Sequence, residues 1–279
     1  MALKDILVVV DDTPSVGERI EVALALATDH DAHLTGLYAS PPMVVPSYVE
    51  TYMTDALRVA WQSEEDGRAV RLGDRFSETV RRAGWLDRSD WRVVRGFPTD
   101  VAALHARTAD LVVVGQLDPG VTPEAPVVEP ESLMFECGRP VLLVPYAGRF
   151  PTVGHRVLVG WNGAREAARA VADALPLLER ARMVTLLAVN TASGYPDPGD
   201  EPGADIARHL ARHGITAEAS HFISEPHEVG DTLLNTATDL GCDLIVMGGY
   251  GRSRLRAMVL GSLTGFMLGH MTVPVLMSH

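Results

Sequence analysis

Hydrophobic positions along this chain fall into short continuous runs separated by longer amphipathic stretches. Ile6-Leu7-Val8-Val9-Val10 is apolar and mostly β-branched throughout, the pattern of a strand buried on both faces. Asp11-Asp12-Thr13-Pro14-Ser15 breaks the run, and Ile20, Ala23, Leu24 and Ala27 then recur at helical spacing. Residues 33–38 predict a second strand. A Pro-rich loop at 40–48 leads into a charge-laced amphipathic stretch, 54–83, that predicts a long helix. Strands are predicted at 91–95, 110–115 and 140–145, with a short helix at 98–107.

The cycle then restarts. Residues 157–162 echo 7–11 and predict a strand, 166–178 a helix and 184–189 a strand, followed by a Gly/Pro/Asp loop at 190–203. A short helix at 206–213, a strand at 216–222 and a helix at 229–240 come next. Asp243-Leu244-Ile245-Val246-Met247-Gly248 repeats Asp110-Leu111-Val112-Val113-Val114-Gly115 almost letter for letter, and 273–277 repeats 139–143. The offset is 151 residues from Asp11 to Asn162 but 133 from Gly115 to Gly248; the Pro-rich loop and long helix of the first half account for the difference. Strand alternating with helix predicts a parallel sheet with right-handed crossovers and helices on both faces. The expected architecture is therefore α/β, two tandem doubly wound five-stranded sheets in domains 1–148 and 155–279, with 148–155 as linker.

The formal charge of -12 is uneven: residues 1–150 carry 14 basic against 23 acidic groups, residues 151–279 carry 10 against 13. Such a surface offers no basic field to collect counterion-release energy, so nucleic acid is not an expected partner. Cys137 and Cys242 lie in different halves beside apolar stretches and are expected as buried free thiols. The N-terminus runs directly into a strand and no apolar run approaches 18 residues, so a soluble, cytoplasmic protein without a membrane partner is expected.

Candidate chemistry concentrates after the fourth strand of the second half. Gly248 opens a glycine- and arginine-bearing loop, with Arg252, Arg254 and Arg256, that reaches Gly261-Ser262 and a helical run from Leu263. Glycines let backbone approach a ligand closely, and a helix N-terminus presents free N–H groups to an anion. A Walker A loop is excluded because Lys4 is the only lysine, and the dinucleotide fingerprint fails because Arg254 follows Gly249-x-Gly251 where glycine is required. The alternative is a plain strand-to-helix connection with loop glycines.

The spacing G-x2-G-x9-G-S over 248–262 resembles the nucleotide loop of the universal stress protein family, and the resemblance extends over both halves. It implies a strand order of 3-2-1-4-5 in each half and halves that pack as an intramolecular pseudo-dimer through their last strands, with a further homodimer left open. It also implies an adenine nucleotide, ATP or else ADP or AMP, in the second half. Val189 would offer backbone to the adenine. Gly248, Gly251 and Arg252 would wrap ribose and phosphates, and Gly261, Ser262, Leu263 and Thr264 would hold phosphate oxygens at the helix start. ATP-binding members carry an acidic residue at the end of the first strand, whereas here Asn162 is followed by Gly163. Asn keeps the carbonyl but not the charge, which disfavours magnesium.

The first half shows the reverse. Asp11 is present, but Gly115 is followed by Gln116-Leu117-Asp118-Pro119 without the spaced glycines, so this half reads as degenerate for ATP and chiefly architectural. The implied role is a stress-response sensor or regulator acting through ligand-dependent conformation or partner binding. The alternatives are a slow ATPase or nucleotide-dependent enzyme, and a module used only for assembly. No catalytic residue is assigned: Ser262 lacks a nucleophile elbow and accompanying His and Asp. His209 and His213, spaced i,i+4, have no third metal ligand, and His221 and His227 read as capping or solvent positions.

Overall fold

The computed structural model describes residues 2–45, 48, 53–190, 203–223, 225, 228–249 and 263–279. The first half runs β1 (Asp5–Val9), α1 (Val16–His30), β2 (His33–Ser40), α2 (Asp55–Arg82), β3 (Ser89–Arg95), α3 (Pro98–Ala106), β4 (Leu111–Gly115), α4 (Pro130–Glu136) and β5 (Val141–Val144). The second runs β6 (Arg156–Trp161), α5 (Arg165–Leu178), β7 (Met183–Asn190), α6 (Ala204–Arg212), β8 (Ala217–Ile223), α7 (Val229–Asp239), β9 (Leu244–Gly248), α8 (Leu263–His270) and β10 (Val275–Ser278).

The sheet order is β3-β2-β1-β4-β5-β10-β9-β6-β7-β8. Each half thus has the expected order 3-2-1-4-5 with parallel neighbours. The two expected sheets are continuous, however: β5 and β10 pair antiparallel, Val141 with Met277, Leu142 with Leu276 and Leu143 with Val275. Both strands are wholly buried and, but for Ser278, apolar, and either would be an aggregation-prone edge if left unpaired. Pairing them removes both edges and relates the halves by a pseudo-twofold axis at Leu142 and Leu276.

Two hydrophobic layers flank the sheet. One joins α1, α2, α5 and α6 through residues such as Ile20, Phe76, Ala174 and Leu210; the other joins α3, α4, α7 and α8 through Ala102, Leu133, Leu233 and Met267. The long helix of the first half begins where Thr54 Oγ1 accepts the Leu57 N–H at 3.3 Å, an N-cap that satisfies one orphan donor. Phe76 stacks on Trp91 with centroids 5.6 Å apart, and Trp85 donates its indole N–H to Ala32 O at 3.2 Å. Trp85 and Trp91 therefore pack against their surroundings; Trp61 is half-buried, Tyr48 is exposed and Tyr52 lies outside the described residues.

The repeated aspartate before each fourth strand has one structural job twice over. Asp110 accepts the Lys4 and Asp5 backbone N–H groups at 2.7 and 3.1 Å. Asp243 accepts those of Gly154, His155 and Arg156 at 3.1, 3.2 and 2.9 Å. Each satisfies backbone donors at the start of the first strand of its half. Helix α4 is an addition to the sequence expectation, which placed no element between the strands at 110–115 and 140–145. Cys137 and Cys242 are free and buried, and burial pushes both thiols up, Cys242 to about 11. Among the described residues no helix is long and apolar enough to cross a membrane.

Candidate functional site

In open α/β sheets ligands gather beyond the carboxyl ends of strands where the strand order reverses. In the second half that point lies between β6 and β9. Trp161 pairs with Ala188, so Asn162 and Val189 follow next along adjacent strands, while Gly248 ends β9 opposite Ser278. Four of the expected residues, Asn162, Gly163, Val189 and Gly248, thus share one edge of the sheet. Leu263 and Thr264 open α8, the crossover between β9 and β10, with Thr264 buried. The remaining expected residues, Gly251, Arg252, Gly261 and Ser262, lie outside the described residues, as does His227.

Asn162 and Gly163 are exposed. Asn162 Oδ1 accepts the Ala164 N–H at 3.0 Å, and Gly163 has φ +71°. The turn needs this left-handed glycine, and it engages the one side-chain oxygen that Asn162 could offer a cation. Gly248 has a second reason to be glycine besides ligand approach. A Cβ there would sit 2.6 Å from Ala167 N and 2.6 Å from Glu166 C, so the first turn of α5 packs directly on the end of β9. Glu166 is buried in that turn and bonded to Arg165 Nε at 2.6 Å. Burial pushes its carboxyl up, but the Arg165 bond, its own backbone N–H and the nearby His279 outweigh that and hold it below the usual carboxylate value. An ionised carboxylate therefore already occupies the α5 N-terminus, where it suits the helix dipole.

The loop after β9 is tied to the first half. Gly249 donates its N–H to Ser278 O at 2.9 Å, and its carbonyl lies 3.2 Å from His279 Nδ1. Phe135 of α4 meets the His279 ring edge-on at 4.6 Å, and Met134 Sδ lies 2.5 Å from where a Gly249 Cβ would be. The pseudo-twofold counterpart is Gln116, which donates to Leu268 O of α8 at 2.9 Å and accepts the Tyr146 N–H at 3.2 Å.

The equivalent edge of the first half is closed by its own side chains. Arg19, 1% exposed, donates to both Asp11 carboxylate oxygens at 2.8 and 3.2 Å, to Val9 O at 2.9 Å and to Thr13 Oγ1 at 2.9 Å. Its guanidinium lies over Gly115, where a Cβ would fall 2.4 Å from Nη2. Burial alone would raise the Asp11 carboxyl, but the Arg19 charge and hydrogen bonds, with those of Thr13, bring it below its ordinary value. Beside it, buried Glu65 of α2 accepts from Tyr38 Oη at 2.9 Å and pairs with buried Arg68, which also bonds Asp12 at 3.2 Å. Sequence reasoning missed Arg19, Glu65 and Arg68. The available signal for Arg19 was its place on the apolar stripe of α1, between Val16 and Ile20 and four residues before Ala23. Ala170, 151 residues on, is the buried small residue of the second half.

His209 and His213 stack edge-on at 4.9 Å on the exposed side of α6, and no group of three or more metal-ligating side chains forms among the described residues. A model of the universal stress protein family matches residues 2–119 and 154–279. Among solved structures, a universal stress protein from Archaeoglobus fulgidus DSM 4304 is similar over 98% of this chain and 96% of its own, with TM-score 0.73 and 13% identity. A functionally unknown protein from Pseudomonas aeruginosa PAO1 is similar over 99% and 92%, with TM-score 0.56 and 15% identity. At these identities the likeness is one of fold. No curated protein is similar enough to count as a match.

Proposed function

The chain belongs to the universal stress protein family as a tandem of two copies, and from that premise we propose that its second copy, residues 155–279, binds an adenine nucleotide, ATP first. The observation that carries this reading is the asymmetry between the two switch points. Asn162 and Gly163 stand exposed at the edge that leads into G-x2-G-x9-G-S, whereas Asp11 of the first copy is sealed by Arg19. Val189 backbone would meet the base. Gly248, Gly251 and Arg252 would line ribose and phosphates, and Gly261, Ser262, Leu263 and Thr264 would donate at the start of α8, where a helix N-terminus favours anions.

The phosphates belong on the α8 side because the α5 N-terminus already carries the Glu166 carboxylate. Asn162, uncharged and with its oxygen held by Ala164 N–H, gives magnesium no anionic ligand, so binding is metal-independent. The first copy, residues 1–148, serves as a fixed partner. Nucleotide occupancy would bias a regulatory state read by other components of a stress response.

Titration calorimetry of the full chain with ATP tests the reading. About one site per chain is expected, with the same affinity with and without magnesium. Gly251→Val should abolish binding while the circular dichroism spectrum is kept, because a β-branched side chain would occupy the phosphate approach. Wild-type affinity in that variant would sink the site.

A further inference from the structure

At the opposite end of the strands from the candidate nucleotide edge, the C-terminal ends of α1 and α5 meet across the segment that joins the halves. They line a solvent-open cavity of about 230 Å³. Its apolar floor is Leu26 and Leu177; its polar lining is Asp29, His30, His155, Arg180 and Arg182. Sites for drug-sized ligands run to about 300–1,000 Å³, so this one suits something smaller than a nucleotide.

Its chemistry is cationic and incomplete. Arg180 and Arg182 have no ion-pair partner among the described residues, and Asp29 is the one acidic group in the lining. The helix ends do not use up the arginines. The last carbonyls of α1 accept from Asp31 N and Ala32 N, and those of α5 from Arg180 N and Ala181 N. His30 is the second, independent sign. It is 3% exposed, it lines the cavity, and its Nδ1 is buried without a hydrogen-bond partner. A buried polar atom left unpaired is costly and rare; a ligand that bonds the lining would end that state. Burial first, and the Arg180 charge next, keep the His30 ring below its ordinary value against the opposing pull of Asp29.

We propose that this cavity between the halves binds a phosphate group, free or carried on a small phosphomonoester, with Arg180 and Arg182 as its charged ligands and His30 as a neutral hydrogen-bond partner. Arginine suits the role because its planar fork matches two phosphate oxygens at once.

The test is titration of the full chain with inorganic phosphate and, separately, with glycerol phosphate, followed by calorimetry and by the His30 ring resonances. Binding with a Kd of about 1 mM or tighter is expected, with movement of the His30 signals. Arg180→Gln and Arg182→Gln, both at exposed positions, should each weaken binding about tenfold and together abolish it, corresponding to about 1.4 kcal/mol per side chain. Equal affinity for the two probes would identify free phosphate as sufficient; preference for glycerol phosphate would identify an organic carrier. Either supports the site. No saturable binding of either probe overturns it. So does binding that survives the double arginine change but is lost in Gly251→Val, since that phosphate would be in the nucleotide loop. Loss of ATP binding with phosphate binding intact would remove the nucleotide reading and leave this one standing.

Discussion

At the scale of single residues, the Asp11–Arg19 pair is a buried electrostatic commitment of the first half. Arg19 is the bulkiest of the fully buried side chains and spends four hydrogen bonds closing the end of β1. Removing one member of a buried pair costs about 3–5 kcal/mol, because the surviving charge is stranded away from water. Asp11→Ala should therefore lower stability by that order, measured by denaturant midpoint, while Asp11→Ala combined with Arg19→Met should recover much of it. The pH dependence has a definite sign. The folded Asp11 carboxyl lies below its ordinary value of 3.8, so its contribution is fully present above that pH and is lost as pH falls through the folded value. The gap between wild type and Asp11→Ala should hold at neutral pH and close in strong acid. A gap that stayed constant would mean that the charge is not what stabilises.

At the scale of elements, the first turn of α5 packs directly on the end of β9. Gly248→Ala puts a methyl against backbone atoms of Glu166 and Ala167, neither of which can swing aside as a side chain would. Overpacking of this kind costs about 1–3 kcal/mol; a thermal or denaturant scan that shows no loss would place α5 farther from the strand. The strands were legible because buried parallel strands write themselves as unbroken apolar runs, as in Leu111–Gly115 and Leu244–Gly248; their order followed from the family resemblance. The long helix was legible from its charge-laced amphipathic pattern. Helix α4 was not, because only seven residues, Pro130–Glu136, carry too few turns for periodicity to show against a Pro/Glu-rich neighbourhood. Of the candidate site, Asn162, Val189 and Gly248 were picked out by the family resemblance, and the topology brings them to one edge of the sheet. Arg19, Glu65 and Arg68 escaped because charged residues at core positions read locally as surface, and the partners that make them buried, Asp11, Tyr38 and Asp12, stand 8 to 56 residues away.

At the scale of the whole molecule, the seam between the halves decides what each half can do alone. β5 and β10 are buried, apolar but for Ser278, and hydrogen-bond to one another, so separation uncovers a flat, sticky edge. Residues 151–279 produced alone should pair through β10 with a second copy and elute as a dimer, with light scattering as the check. A monomer would mean that the seam contributes little to holding the halves. The same seam carries cross-contacts: α4 reaches Gly249 and His279, and Gln116 reaches α8.

A symmetric pair of separate chains receives every substitution twice, once on each side of its axis, and so must tolerate it in both settings. Here the axis runs through one polypeptide. The position after the fourth strand is glutamine on one side, bonded to Leu268, and glycine on the other, set against Met134. Two identical chains could not hold both solutions. Covalent fusion lets each half keep its own solution, even at the seam where they meet.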